Sequence, residues 1–116
     1  MHANPSENAL TFDFEHDGQV ALVRCGGKLV AGVSDRFYNE IKAFIPRSQK
    51  VVLDLTDLTR VDSMGLGALV RLYVSARSAG CVLELINLRK QIRELLGVTN
   101  LLQVFAIMGE TGTKWH

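Results

Sequence analysis

Ser63 stands where a strand-like run gives way to a helix-like one, inside Asp62-Ser63-Met64-Gly65-Leu66-Gly67. A hydroxyl at a helix start has two physical uses. It caps the free N–H groups of the first turn, or it carries a phosphate whose charge those groups and the helix dipole stabilise. Asp62 is an equally good cap, so the spacing leaves the assignment between the two open. Gly65 and Gly67 are poor first-turn residues, costing a helix up to about 1 kcal/mol each relative to Ala. Their presence predicts that bulk there would block something, which is either the backbone of an approaching partner or packing of the helix against a sheet. Gly65-Leu66-Gly67 is no phosphate cradle by itself, because the G-x-x-x-x-G-K-[ST] spacing and its Lys are missing.

Other reactive side chains are dispersed. His2 and His16 precede residue 20 and His116 ends the chain, so neither a triad order nor H-E-x-x-H arises. The sequence predicts no catalytic residue, no metal site and no cofactor. Cys25 and Cys81 lie far apart in apolar segments without a C-x-x-C, which fits reduced core thiols. Asp54 falls inside a strand-like run and Asp57 at a turn-like position, and no acidic pair follows the first strand as a receiver-type acceptor would need. Lys28, Arg60 and Arg71 are candidates to pair with a phosphate on Ser63, or else ordinary solvated cations. Trp115 reads as a tail residue.

The elements that position these groups follow from period. Leu10 to Phe14 alternate and Val20 to Val23 are β-rich, with Asp17-Gly18 favouring a hairpin between them. After the loose pair Gly26-Gly27, Ser34 is expected to cap a helix carrying Phe37, Tyr38, Ile41, Phe44 and Ile45, stopped by Pro46. Val51 to Leu55 reads as a strand buried on both faces. A helix follows from near Ser63, with the stripe Leu66, Leu69, Val70, Tyr73 and Val74, ended by Gly80 before a strand at Cys81 to Ile86. Strand, helix and strand in that order predict parallel neighbours joined by a crossover. Asn87 is expected to cap a third helix with Leu88, Ile92, Leu95 and Leu96, ending at Gly97, and a last strand is placed near Val104 to Ile107. The fold class is therefore α/β: one mixed sheet with an N-terminal antiparallel hairpin, parallel βαβ units and helices packed mainly on one face.

At 116 residues the chain is one domain's worth, expected over 9–108 with tails at 1–8 and 109–116. Thirteen basic against twelve acidic residues leave a net charge of +1, which gives no general affinity for nucleic acid or anionic membrane. Its apolar runs are interrupted by Asp54, Arg71 and Glu84, short of the roughly 20 residues a span requires. The first residues form no signal-peptide pattern, so a cytoplasmic location is expected.

The run Val51 to Val70, with its Asp62-Ser63-Met64-Gly65-Leu66, resembles the signature of STAS domains, the family of bacterial anti-sigma factor antagonists, in which a strand leads into Asp-Ser-x-Gly-Leu. The likeness extends over roughly residues 10 to 107, through Leu85-Ile86-Asn87-Leu88 before the third helix. The resemblance implies that Ser63 is a phosphoacceptor with Asp62 as its neighbour, and that the partner is an anti-sigma factor serine kinase. Three positions depart from the family pattern. Gly27-Lys28-Leu29-Val30 stands where many members have Gly-x-Leu-Asp, Met64 replaces a frequent second Ser or Thr, and the tail from Gly109 is short for a closing helix.

The reading that follows is a phosphorylation-controlled switch which docks on the kinase and so frees a sigma factor, through a face built from Leu58, Arg60, Asp62, Ser63, Met64, Gly65 and Leu66. The alternative is a constitutive STAS interaction or scaffold subunit, in a stress-signalling complex or a lipid transport system, favoured by Val30. Nucleotide binding, implied for some relatives, has no motif of its own here.

Overall fold

Period-2 patterning and β-branched runs place five strands in one sheet, ordered β1-β2-β3-β4-β5, in a computed structural model that describes residues 10–99 and the backbone of 106–108. The chain runs through β1 (Thr11–Asp17), β2 (Val20–Leu29), α1 (Ser34–Lys42), a 3₁₀ turn (Ile45–Arg47), β3 (Lys50–Val61), α2 (Ser63–Ser78), β4 (Val82–Ile86), α3 (Lys90–Val98) and β5 (Ala106–Met108). β1 and β2 are antiparallel, joined by a two-residue turn whose Gly18 takes φ 60°, the left-handed conformation such hairpin turns need. All other neighbours are parallel, including β3 and β4 across α2. Val104, His2, Trp115, His116 and both tails lie outside the described residues.

Alternation decides which face is covered. Ala21, Val23 and Cys25 of β2, Val51, Leu53 and Leu55 of β3, and Leu83 and Leu85 of β4 share one core with Phe37 and Ile41 of α1, Leu69 and Leu72 of α2, and Ile92 and Leu96 of α3. The residues between them point the other way. There Arg24 pairs with Glu15 at 2.9 Å, and Lys50 reaches the buried Glu84 at 3.0 Å. Cys25 and Cys81 are free and buried, and burial pushes the Cys25 thiol up to about 12, which leaves it unreactive at neutral pH.

Several local expectations are corrected. Ser34 is the first residue of α1 and not its cap, since Val33 holds the cap position without a side-chain bond. Phe44 and Ile45 lie beyond that helix, because Phe44 leaves it to stack on Phe14 at 4.8 Å. In α2 the buried face is Gly65, Ala68, Leu69, Leu72 and Ala76, while Val74 is exposed. Small residues turn inward there because α2 packs against both the sheet and α1. Asn87 does not cap α3: it takes φ 59° and donates from Nδ2 to Asp54 Oδ1 at 3.1 Å, and the helix begins after Arg89. Gly97 stays inside α3, which runs one residue further to Val98.

The largest correction bears on the site. Gly26 and Gly27 are not loose, and Leu58 to Val61 is not a loop, because β2 and β3 continue pairing to Leu29↔Val61 through two register shifts. Those shifts bring Leu58 back to the core side three residues after Leu55, and both side chains are fully buried.

Candidate functional site

The parallel β2 and β3 end side by side, and the chain leaves β3 directly into α2. Asp62 sits at that junction in extended backbone and donates its N–H to Leu29 O at 3.2 Å. Its carboxylate then ties two segments together. Oδ1 accepts from Gly65 N at 2.9 Å, the cap of α2, and Oδ2 accepts from Ala31 N at 2.9 Å, in the turn after β2. The N–H groups of Ala31 and Gly65 hold the Asp62 carboxyl below its ordinary value, since both bond the charged form. The choice left open by spacing is thus settled: Asp62 caps α2.

Ser63 is the first residue of α2, exposed, and makes no hydrogen bond from its hydroxyl to any described residue. A hydroxyl here is free to react and lies at the helix end where added negative charge is stabilised. Met64 beside it is 56% exposed, a large apolar side chain presented to solvent.

The two glycines of the motif have separate reasons. A Cβ on Gly65 would collide with the carbonyl oxygen of Leu29, whose carbonyl carbon would lie at 2.9 Å, so packing against β2 forbids bulk. A Cβ on Gly67 would meet nothing within 4 Å.

Of the residues expected to form a docking face, Arg60, Ser63 and Met64 are exposed at one end of the domain and Asp62 is partly so. Leu66 is half-buried against the core. Leu58 and Gly65 lie in the interior, a correction: Leu58 is fully covered and Gly65 is sealed by Leu29. Arg60 and Lys28 are register partners on β3 and β2. Arg71 is elsewhere, bonded to Asp35 at 3.1 Å and stacked over Tyr38 at 4.1 Å, so it is no phosphate partner for Ser63.

Sequence reasoning missed two contributors. One is the Ala31 N–H that shares the Asp62 carboxylate, a contact across 31 residues with no local signal. The other is α3, whose Gln91, Ile92 and Leu95 form a groove of about 310 Å³ with Thr59, Arg60 and Val61. An Asn in the run before that helix was the available signal, because Asn tolerates the left-handed turn that aims α3 back to the end of β3. Asp54, a weak candidate acceptor, is engaged structurally. Partial burial raises its carboxyl, but the Thr56 hydroxyl and N–H and the Asn87 amide outweigh this and lower it overall. Among the described residues no three His, Cys, Asp or Glu side chains cluster as metal ligands, and no helix is long and apolar enough to cross a membrane.

Comparison with known proteins places this geometry. The chain is 28% identical over 100 residues to the anti-sigma F factor antagonist of Paenibacillus polymyxa, covering 84% of this chain and 86% of that one. It shares its fold with the Bacillus cell fate determinant SpoIIAA in its phosphorylated form, with a TM-score of 0.67 at 16% identity, covering 87% of this chain and 94% of that one. It also shares it with a sulfate transporter family protein from Wolinella succinogenes, with a TM-score of 0.68 at 18% identity, covering 76% and 72%. The sequence profile of the STAS domain matches residues 11–113. The chain belongs to the STAS domain family.

Proposed function

We propose that this protein is an anti-sigma factor antagonist that works as a reversible docking switch in the cytoplasm, with Ser63 as the phosphoacceptor and an anti-sigma factor serine kinase as the partner. It acts by binding and not by turnover. The observation that carries this reading is the division of labour at the start of α2: Asp62 takes the cap, which leaves the Ser63 hydroxyl exposed and without a structural bond among the described residues. A phosphate there adds a charge of roughly −1.5 to −2. The helix start tolerates that charge, so the domain stays folded while the apolar contact made by the neighbouring Met64 is disrupted by a desolvation cost.

The test pairs the chain with the anti-sigma serine kinase encoded nearest to it and ATP, followed by mass spectrometry and calorimetry. Phosphate is expected on Ser63, absent in Ser63→Ala, and Ser63→Asp is expected to bind the kinase more weakly than wild type. Phosphate on another residue, or equal binding by Ser63→Asp, sinks the switch. A second reading, a constitutive interaction subunit, draws support from Val30 in place of the family's acidic residue and from the fold shared with a transporter family protein. It expects no phosphate transfer and no response to Ser63→Asp.

A further inference from the structure

Cations on this domain are engaged almost everywhere except at the end that presents Ser63. Arg24 pairs with Glu15 and Asp13, Lys50 with Glu84, and Arg71 with Asp35. Arg36, Lys42 and Arg47 lie over the rings of Phe12, Tyr38 and Phe44, and Arg77 donates to Tyr73. Among the described residues Lys28, Arg60 and Lys90 make no hydrogen bond, ion pair or ring contact, and Arg89 donates only its Nε, to Thr56 O at 2.8 Å. These four side chains come from β2, β3 and the start of α3.

They converge on one groove. Arg60 lines it with Gln91 of α3, Lys28 is the register partner of Arg60, and Arg89 and Lys90 begin the helix that forms its other wall. The acids at this end do not cancel them. Asp62 and Asp54 are bonded within the fold, leaving Asp57 and Glu94. Moreover, α3 starts with no side-chain cap and no acid in its first turn, so Arg89 and Lys90 sit against the positive end of the helix dipole. That placement destabilises the free domain and is relieved by an external negative charge.

We infer that the groove between the end of β3 and α3, rimmed by Lys28, Arg60, Arg89 and Lys90, docks an acidic surface of the partner protein. This rests on the reading of the Ser63 end as the docking face, and it specifies the partner's chemistry and the control. A phosphate on Ser63 neutralises part of the patch that attracts the partner, so attraction falls even before any direct clash. Charge that is this local in a chain of net charge +1 selects a complementary protein surface over an extended polyanion.

The test uses Lys28→Glu, Arg60→Glu and Lys90→Glu, with binding to the neighbouring anti-sigma serine kinase measured by calorimetry at about 0.05 M and about 0.5 M salt. Each reversal is expected to weaken binding by about threefold or more, and salt to weaken wild type about tenfold and the triple variant much less. Lys90→Glu carries its own control: its melting temperature is expected to rise while its affinity falls, which damage to the fold could not produce. Unchanged or tighter binding by the reversed variants overturns the inference while leaving Ser63 phosphorylation intact. Absence of any kinase binding or phosphate transfer instead overturns the functional reading. A deca-glutamate peptide then decides the patch by amide shifts: shifts confined to residues 28, 60 and 89–91 uphold it. Shifts spread over all cations, or binding to phosphatidylserine vesicles without peptide shifts, overturn it.

Discussion

Gly65 and Gly67 are two residues apart on α2, yet they belong to different parts of the molecule. Gly65 faces inward, where the Leu29 carbonyl leaves no room for a side chain, and works with Asp62 to lock the start of the helix onto β2. Gly67 is open, like Ser63 and Met64, and nothing within the domain requires it. One short motif therefore mixes residues that hold the fold with residues available to a partner.

The sharpest way to break this comparison is Gly65→Ala. Its Cβ meets backbone and not a flexible side-chain tip, so α2 must shift bodily. A loss of about 3 kcal/mol is expected in urea melts, since overpacking at a rigid contact reaches that range. A loss no larger than that of Gly67→Ala would erase the distinction.

Asp62 comes next. Asp62→Ala removes the cap of α2 and the acceptor for Ala31, and the melting temperature is expected to fall by roughly 5 °C. Its pH dependence has a definite sign. The folded carboxyl titrates below the unfolded one, so its stabilisation is complete above the ordinary carboxylate range and is lost as pH falls through the lowered folded value. Melts of wild type and Asp62→Asn between pH 7 and pH 3 should converge at the acid end. A constant gap would show that the charge is not what ties the two segments.

The smallest effects belong to the outer edge. Ser63→Ala should change stability by no more than about 0.5 kcal/mol, because the hydroxyl is not the cap. Gly67→Ala should stabilise the free helix by about 0.5 to 1 kcal/mol, since nothing opposes its Cβ. A loss of stability in either variant would mean that the outer edge also holds the fold.

Element order, parallel pairing of β3 with β4 and the covered sheet face were legible because they rest on strong periodicity and on the crossover rule. Ser63 and Asp62 were legible as a pair, and only coordinates could assign the cap between them, since both types serve. Leu58 was misplaced because a strand with register shifts breaks the alternation that sequence reading relies on. Asn87 and Ser34 were misplaced because cap-forming residue types also serve left-handed turns and interior helix positions. The basic rim was invisible as such: Lys28, Arg60 and Lys90 are spread over 62 intervening positions and meet only through the sheet and α3.

The Asp62 carboxylate also bears on what a modifying enzyme can recognise. Its two N–H partners come from segments that approach each other only when β2 and β3 have paired along their full length. A peptide copied from residues 57–79 lacks Ala31, the Leu29 carbonyl and Lys28, and a helix with two early glycines has little tendency to form alone. Ser63 would then be an ordinary serine in a flexible chain. Recognition at this position is therefore of shape and not of a linear consensus, and unfolded or newly synthesised chains are poor substrates until the sheet is complete.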